Sequence, residues 1–168
     1  FMDTSRLEKI GVKSLGKEMD KISKINNLSD LSEYIAYAAI ITTAPFGVYV
    51  YIASKNPTEH VTYLGQSGLG LPNKGYYMDD DEKSKNIRKE YVTHIGKMFE
   101  LYGMSNSNKL GSTVMDIETS LARFHWKKEK NRDPELTYNP STMSELRSMI
   151  PGLDWDRWLS ATGIDGFN

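Results

Sequence analysis

Three histidines, His60, His94 and His125, are the first residues to question for chemistry in this chain of 168 residues, which has no cysteine. A zinc hydrolase of the commonest helical kind needs H-E-x-x-H. Two imidazoles then share one helix face, a further glutamate completes the ligand set, and the motif's glutamate serves as general base. No such pattern occurs: the histidines stand 34 and 31 residues apart, and Glu59 merely precedes His60. Each reads as a surface or helix-flank histidine. Cysteine nucleophiles, thiolate zinc sites and disulfides are excluded by composition. Serine catalysis finds no G-x-S-x-G, since Gly65-Gln66-Ser67-Gly68 is one residue out of register. Asp154 and Asp156 are spaced as an acid and its neighbour, which beside Trp155 reads as a helix cap rather than an acid–base pair. Asp79, Asp81 and Glu90 occupy positions one, three and twelve of a calcium loop, but Lys83 holds position five and Ser84 the place of the required glycine. The acids from Asp79 to Glu82 therefore read as complements to a helix N-terminus. On these grounds the chain has no assigned catalytic residue and no metal ligand, and its residues identify no substrate-binding group.

The stretch around which the other elements must be arranged is Leu64–Tyr77, LGQSGLGLPNKGYY. Gly65, Gly68, Gly70 and Gly75 with Pro72 and Asn73 make it a loop, yet Leu69, Leu71, Tyr76 and Tyr77 are too apolar for a solvated connection. A loop pinned onto a helical body is expected. Its glycines fit neither G-x-x-x-x-G-K-[ST] nor a G-x-G-x-x-G opening a helix after a strand, so it carries no phosphate-binding signature.

On either side the periodicity is mostly helical. Leu15, Met19, Ile22 and Ile25 after Ser14 predict an amphipathic helix, and Asp30 with Glu33 predicts a capping box opening a helix over Leu31–Thr42. Phe46, Val48, Val50 and Ile52 alternate with Gly47, Tyr49 and Tyr51, which predicts a strand, a turn at Lys55–Thr58 and a return strand over His60–Leu64. Ile87, Tyr91, Ile95, Met98, Phe99 and Tyr102 predict a helix stopped by Gly103. Leu110, Val114, Ile117, Leu121 and Phe124, spaced four, three, four and three, predict the next, with Lys127, Lys128 and Lys130 at its C-terminal end. Thr142 with Glu145 predicts a capped short helix ending before Pro151, and Asp154 a last one that stops at Gly163. The fold class expected is mainly α: a multi-helix domain over residues 1–168 with one small β-hairpin, about Phe46–Leu64, and a packed Gly-rich loop.

Charge adds exclusions. Lys and Arg number 21 against 22 Asp and Glu, interspersed, which gives a net charge of −1 and no footprint for nucleic acid or an anionic membrane. The longest apolar run, Tyr34–Thr43, is too short for a bilayer. Asn27-Leu28-Ser29 is the one permitted glycosylation sequon, proline blocking those at Asn56 and Asn139.

Gln66-Ser67-Gly68-Leu69-Gly70-Leu71-Pro72 with Tyr76-Tyr77 resembles the Q-x-x-L-x-L-P-x-x-x-Y-Y signature in the N-terminal, non-catalytic region of the neprilysin-like (M13) zinc metallopeptidases. The resemblance continues through Met2-Asp3, Glu118 with Leu121-Ala122, Arg132-Asp133 with Tyr138-Asn139, Thr142 and Leu146, and Pro151 with Trp155. It implies a zinc-dependent endopeptidase whose zinc ligands, Asn-Ala-Phe-Tyr substrate segment and carboxylate-binding arginine lie outside this chain. The implied partners are the catalytic domain of the same parent and the parent's peptide substrates. The lack of the animal enzymes' cysteines implies a bacterial, oligopeptidase O-like parent, in the cell envelope, periplasm or medium. Under this resemblance the chain is a fragment of the helical domain that bounds the substrate cavity and is inert alone. A stand-alone helical binding module of peptidase ancestry is the other reading. Exposure of Tyr76, Tyr77, Trp126, Trp155 and Trp158 would favour the fragment.

Overall fold

The computed structural model describes residues 3–164. Asp3 caps the first helix, α1 (Thr4–Ile10), by accepting from Arg6 N at 3.0 Å, while Phe1 and Met2 of the opening resemblance lie outside the described residues. A 3-10 turn over Gly11–Leu15 separates α1 from α2 (Gly16–Ser23). The helix expected to begin at Ser14 is thus shorter than its periodicity. Gly11, at φ +50°, ends α1, and the 3-10 turn after it takes in Ser14 and Leu15, the Ser14 hydroxyl donating to Gly11 O. No residue of α1 or α2 is buried. The tie to the body is polar, from the Tyr37 hydroxyl to Glu18 at 2.8 Å.

Helix α3 spans Leu28–Ile41 and starts three residues earlier than expected, because Asn27 rather than Asp30 is the cap. Asn27 Oδ1 accepts from Asp30 N at 2.9 Å, and the Asp30 carboxylate accepts in return from Asn26 N and Asn27 Nδ2. The sequon asparagine is therefore the helix cap. Strands β1 (Phe46–Ala53) and β2 (Asn56–Gln66) pair antiparallel. Their turn is Ser54-Lys55, tighter than the predicted one. Asn56–Thr58 already belongs to β2, and the register jumps from Ile52 opposite His60 to Ala53 opposite Asn56. Pro57, which has no N–H for a ladder, sits in that bulge.

The loop then leads into α4 (Gly75–Met78), α5 (Glu82–Tyr102) and α6 (Ser107–Phe124). Asp81 caps α5 by accepting from Ser84 N, and Gly103 ends it at φ +90° with Met104 N returning to Phe99 O, both as expected. After a 3-10 turn at Lys130–Arg132 come α7 (Pro134–Thr137), α8 (Met143–Met149) and α9 (Trp155–Thr162). The Thr142–Glu145 capping box, the Asp154 cap and the Gly163 stop all stand as predicted.

Two core clusters result. Ala36 of α3 and Trp155 and Trp158 of α9 form one, covered by Phe46 and Val48 of the hairpin and by Met143 and Leu146 of α8. Tyr77, Met115 and Ala122 form the other, under Leu69, Leu71, Tyr76 and Tyr91. Of the five aromatics named above, Tyr77, Trp155 and Trp158 are buried by the chain itself and Tyr76 is half-buried, which leaves Trp126 as the exposed one. At the junction of α3 and α9, the Ser29 hydroxyl donates to the Asp154 carboxylate, Asp154 N donates to Ser32 Oγ, and Arg157 pairs with Asp30 at 2.8 Å.

Candidate functional site

Polar groups of the Gly-rich loop bond to the helices beneath it. Gly70 N donates to Glu118 Oε2 at 3.2 Å, the Tyr77 hydroxyl donates to the same oxygen at 2.5 Å, and the Tyr91 hydroxyl donates to Oε1 at 3.0 Å. Leu71 N in turn donates to the Tyr77 oxygen at 2.8 Å, so the loop backbone reaches the carboxylate both directly and through a phenol. A side chain at position 70 would displace Tyr91: a Cβ there would lie 1.8 Å from the Tyr91 oxygen. Gly68, at φ +88°, is doubly constrained, since a Cβ would also meet the Pro45 backbone at 2.9 Å.

The rest of the loop is tied to the end of α6. The Gln66 amide acts as a strand mimic, donating to Trp126 O and accepting from Trp126 N at 2.7 Å. Lys74 Nζ donates to Arg123 O at 2.8 Å and His125 O at 3.0 Å, satisfying carbonyls that the end of α6 leaves open. The cation that seals α6 therefore comes from the loop; no hydrogen bond ties Lys127, Lys128 or Lys130 to the carbonyls at that end, and Lys130 lies over the Trp126 ring instead. Arg88 of α5 performs the same service for the chain around α4, bonding Tyr76 O and Asp79 O.

Electrostatically this is a staple rather than a reaction centre. Burial, then the hydrogen bond to Glu118, pushes the Tyr77 phenol far above its ordinary range; burial, then the Glu118 charge, pushes Tyr91 up to about 12. Both phenols stay protonated donors at neutral pH, and a carboxylate holding three donors has no role left as a base. His125 is drawn below its ordinary value by burial and the Lys74 charge, against a hydrogen bond to the Ser67 backbone. It lines a polar cleft of about 330 Å³ between residues 66–74 and 125–131, which Ser67, Lys74 and Lys128 also line; the Lys74 ammonium there is held by the Arg123 and His125 carbonyls.

The other residues singled out for chemistry are scattered. His60 lies exposed on the hairpin and His94 exposed on α5. Residues 82–90 are helical, which precludes the calcium loop, and Glu90 accepts from Asn86 instead. Asp156 pairs with Arg147. Among the described residues no group of three metal-ligating side chains exists. No described helix is long and apolar enough to cross a membrane.

A staple whose members are Gln66, Leu69, Leu71, Tyr77 and Glu118 is the structural content of the signature noted above, and comparison with known proteins agrees. The model of the N-terminal part of Peptidase family M13 matches residues 1–168. The chain belongs to peptidase family M13. Among curated M13 relatives, endothelin-converting enzyme 1 of Cavia porcellus is 31% identical over 166 residues, covering 92% of this chain and 22% of that protein. The human enzyme is 30% identical, covering 92% and 21%. Among solved M13-like structures, the inhibitor complex of Mycobacterium tuberculosis zinc metalloprotease ZMP1 superimposes with a TM-score of 0.86 at 32% identity, covering 96% of this chain and 25% of that one. Its open state gives 0.84. The chain therefore spans between a fifth and a quarter of the length of these M13 proteins. Glu118, Tyr91, Lys74 and Arg88 escaped residue-level reasoning as a set, since the sole signal for Glu118 was its place in the family pattern.

Proposed function

We infer that this chain is part of a zinc-dependent metalloendopeptidase, a single region of its N-terminal helical domain, and that it walls the substrate cavity without supplying a catalytic group. The observation carrying this reading is that the family's signature residues hold one another: Gln66, Gly70, Tyr77 and Glu118 engage the chain's own backbone and phenols. A family pattern of that kind preserves a scaffold. Zinc belongs to the parent, with ligands elsewhere in its sequence, and the partners are the parent's catalytic part and its peptide substrates. A bacterial parent exported to the envelope or medium is supported by the absence of cysteine and by the likeness to the mycobacterial protease.

The test is to translate the source gene through and beyond the codon for Asn168 and assay the encoded protein beside this chain. The longer protein should contain H-E-x-x-H with a downstream glutamate and cleave a quenched fluorescent peptide in a chelator-sensitive manner, while this chain cleaves nothing. A gene product with no such motif and no chelator-sensitive cleavage would leave the stand-alone binding module as the reading.

A further inference from the structure

Helix α6 carries two stripes of which the chain buries one, leaving Leu110, Val114 and Leu121 of the other half-buried. Gly111, Met115 and Ala122 are buried, with Glu118 between them at the staple. A Cβ on Gly111 would meet Val92 O of α5 at 2.6 Å, so this is the face on which α5 closes. The strongest periodicity in the sequence lies elsewhere, at Leu110, Val114, Ile117, Leu121 and Phe124. That stripe is displaced by one residue, about 100° around the helix. Its outer members are bare: Ile117 is 57% exposed and Phe124 is 86% exposed. An open trough lined by Thr113, Asp116, Ile117, Ser120, Leu121 and Phe124 runs along it.

Spacings of four, three, four and three are those of a helix seam that receives another helix, and a helix apolar on two sides is one held between neighbours. We propose that the Ile117–Leu121–Phe124 face of α6 is the seat of an apolar helix from the remainder of the parent peptidase. This rests on the reading of the chain as part of a longer enzyme. It is supported by length, since the matched part covers 22% of the guinea-pig relative and 25% of the mycobacterial one, which leaves most of each chain to supply such a helix.

The experiment uses the double substitution Ile117→Ser with Phe124→Ser, and separately Ser120→Cys, in this chain and in the full-length gene product. In this chain the double variant should melt within about 2 °C of the wild type, as an exposed site does. In the full-length protein it should melt roughly 4 °C or more lower. The thiol introduced by Ser120→Cys, the single one in this chain, should react readily with maleimide here and at least about tenfold more slowly in the full-length protein, by the population of open states. Unchanged melting together with equal labelling in the two proteins overturns the proposal. So does a discrete dimer of this chain, seen by light scattering and dissolved by the double variant, which would assign the face to a second copy. Chelator-sensitive peptide cleavage by the same full-length preparation is recorded alongside, so loss of the peptidase reading and loss of this interface are separate results.

Discussion

Tyr77 and Glu118 are joined by a 2.5 Å hydrogen bond across 41 residues of sequence, and that bond fastens the end of the Gly-rich loop to the middle of α6. The Tyr77 oxygen also accepts from Leu71 N, so a single phenol satisfies one half-buried backbone donor while keeping its own proton as the donor to the carboxylate.

Glu118→Gln keeps the size but replaces one acceptor oxygen with a donor facing phenols and an N–H. Urea unfolding should show a loss of about 2–3 kcal/mol. Tyr77→Phe should cost more than Tyr91→Phe, because only Tyr77 also holds the Leu71 N–H. Equal losses would show that the relay carries no extra stability.

At alkaline pH the staple should weaken. A phenol whose folded value is raised contributes stability that is complete below its unfolded value near 10 and is lost as pH rises through the folded value. Stability measured by denaturant from about pH 9 to 12 should fall, and Tyr91→Phe, by removing one raised phenol, should flatten the slope.

The acid limb belongs to the other junction. Asp30 is held below its ordinary value by the Arg157 hydrogen bond first, and Asp154 by that from Ser29. Depressed carboxylates contribute above their unfolded value and lose that contribution as pH falls through the folded one. Arg157→Met should therefore flatten the decline of stability below about pH 4 while leaving the alkaline limb unchanged.

Close approach gives a graded glycine series. Gly111→Ala places a methyl against Val92 backbone oxygen, which cannot yield without parting α5 from α6, and should cost about 3 kcal/mol or more. In Gly70→Ala the obstacle is the Tyr91 side chain, so the loss, about 2 kcal/mol, should shrink in a Tyr91→Phe background. Gly152→Ala, which meets open space, should be neutral within about 0.5 kcal/mol. Thermal melts of the single variants and the cycle check the order.

Chelation separates this chain from its parent. With no metal-ligating group among the described residues, a chelator should leave the melting temperature of this chain unchanged, while abolishing peptide cleavage by the longer protein. A chelator-induced shift in this chain would reveal a metal site that its side chains do not show.

Local signals were legible wherever a cap or stop acts over a few residues. The Thr142–Glu145 box, the Asp81 and Asp154 caps and the Gly103 and Gly163 stops depend on neighbours within one helical turn, so their spacing announces them. The mainly α class, the hairpin and the family likewise follow from periodicity and from a motif contained in one stretch. Local competition misled twice, when Asn27 took the cap from Asp30 and when Ser54-Lys55 made a tighter turn than Asn56-Pro57.

What only the tertiary structure decided is which groups meet. Periodicity reports that α6 has an apolar stripe but carries no direction: Ile117 and Phe124 of that stripe stand exposed, while Gly111, Met115 and Ala122 are the buried residues of the helix. Small residues leave little mark in a hydrophobic pattern, yet they are what permits α5 to approach. The Glu118 staple is equally silent in sequence, because its donors come from residues 70, 77 and 91 on a loop and two helices. A hydrogen bond between distant residues has no period, and folding alone brings its partners within reach.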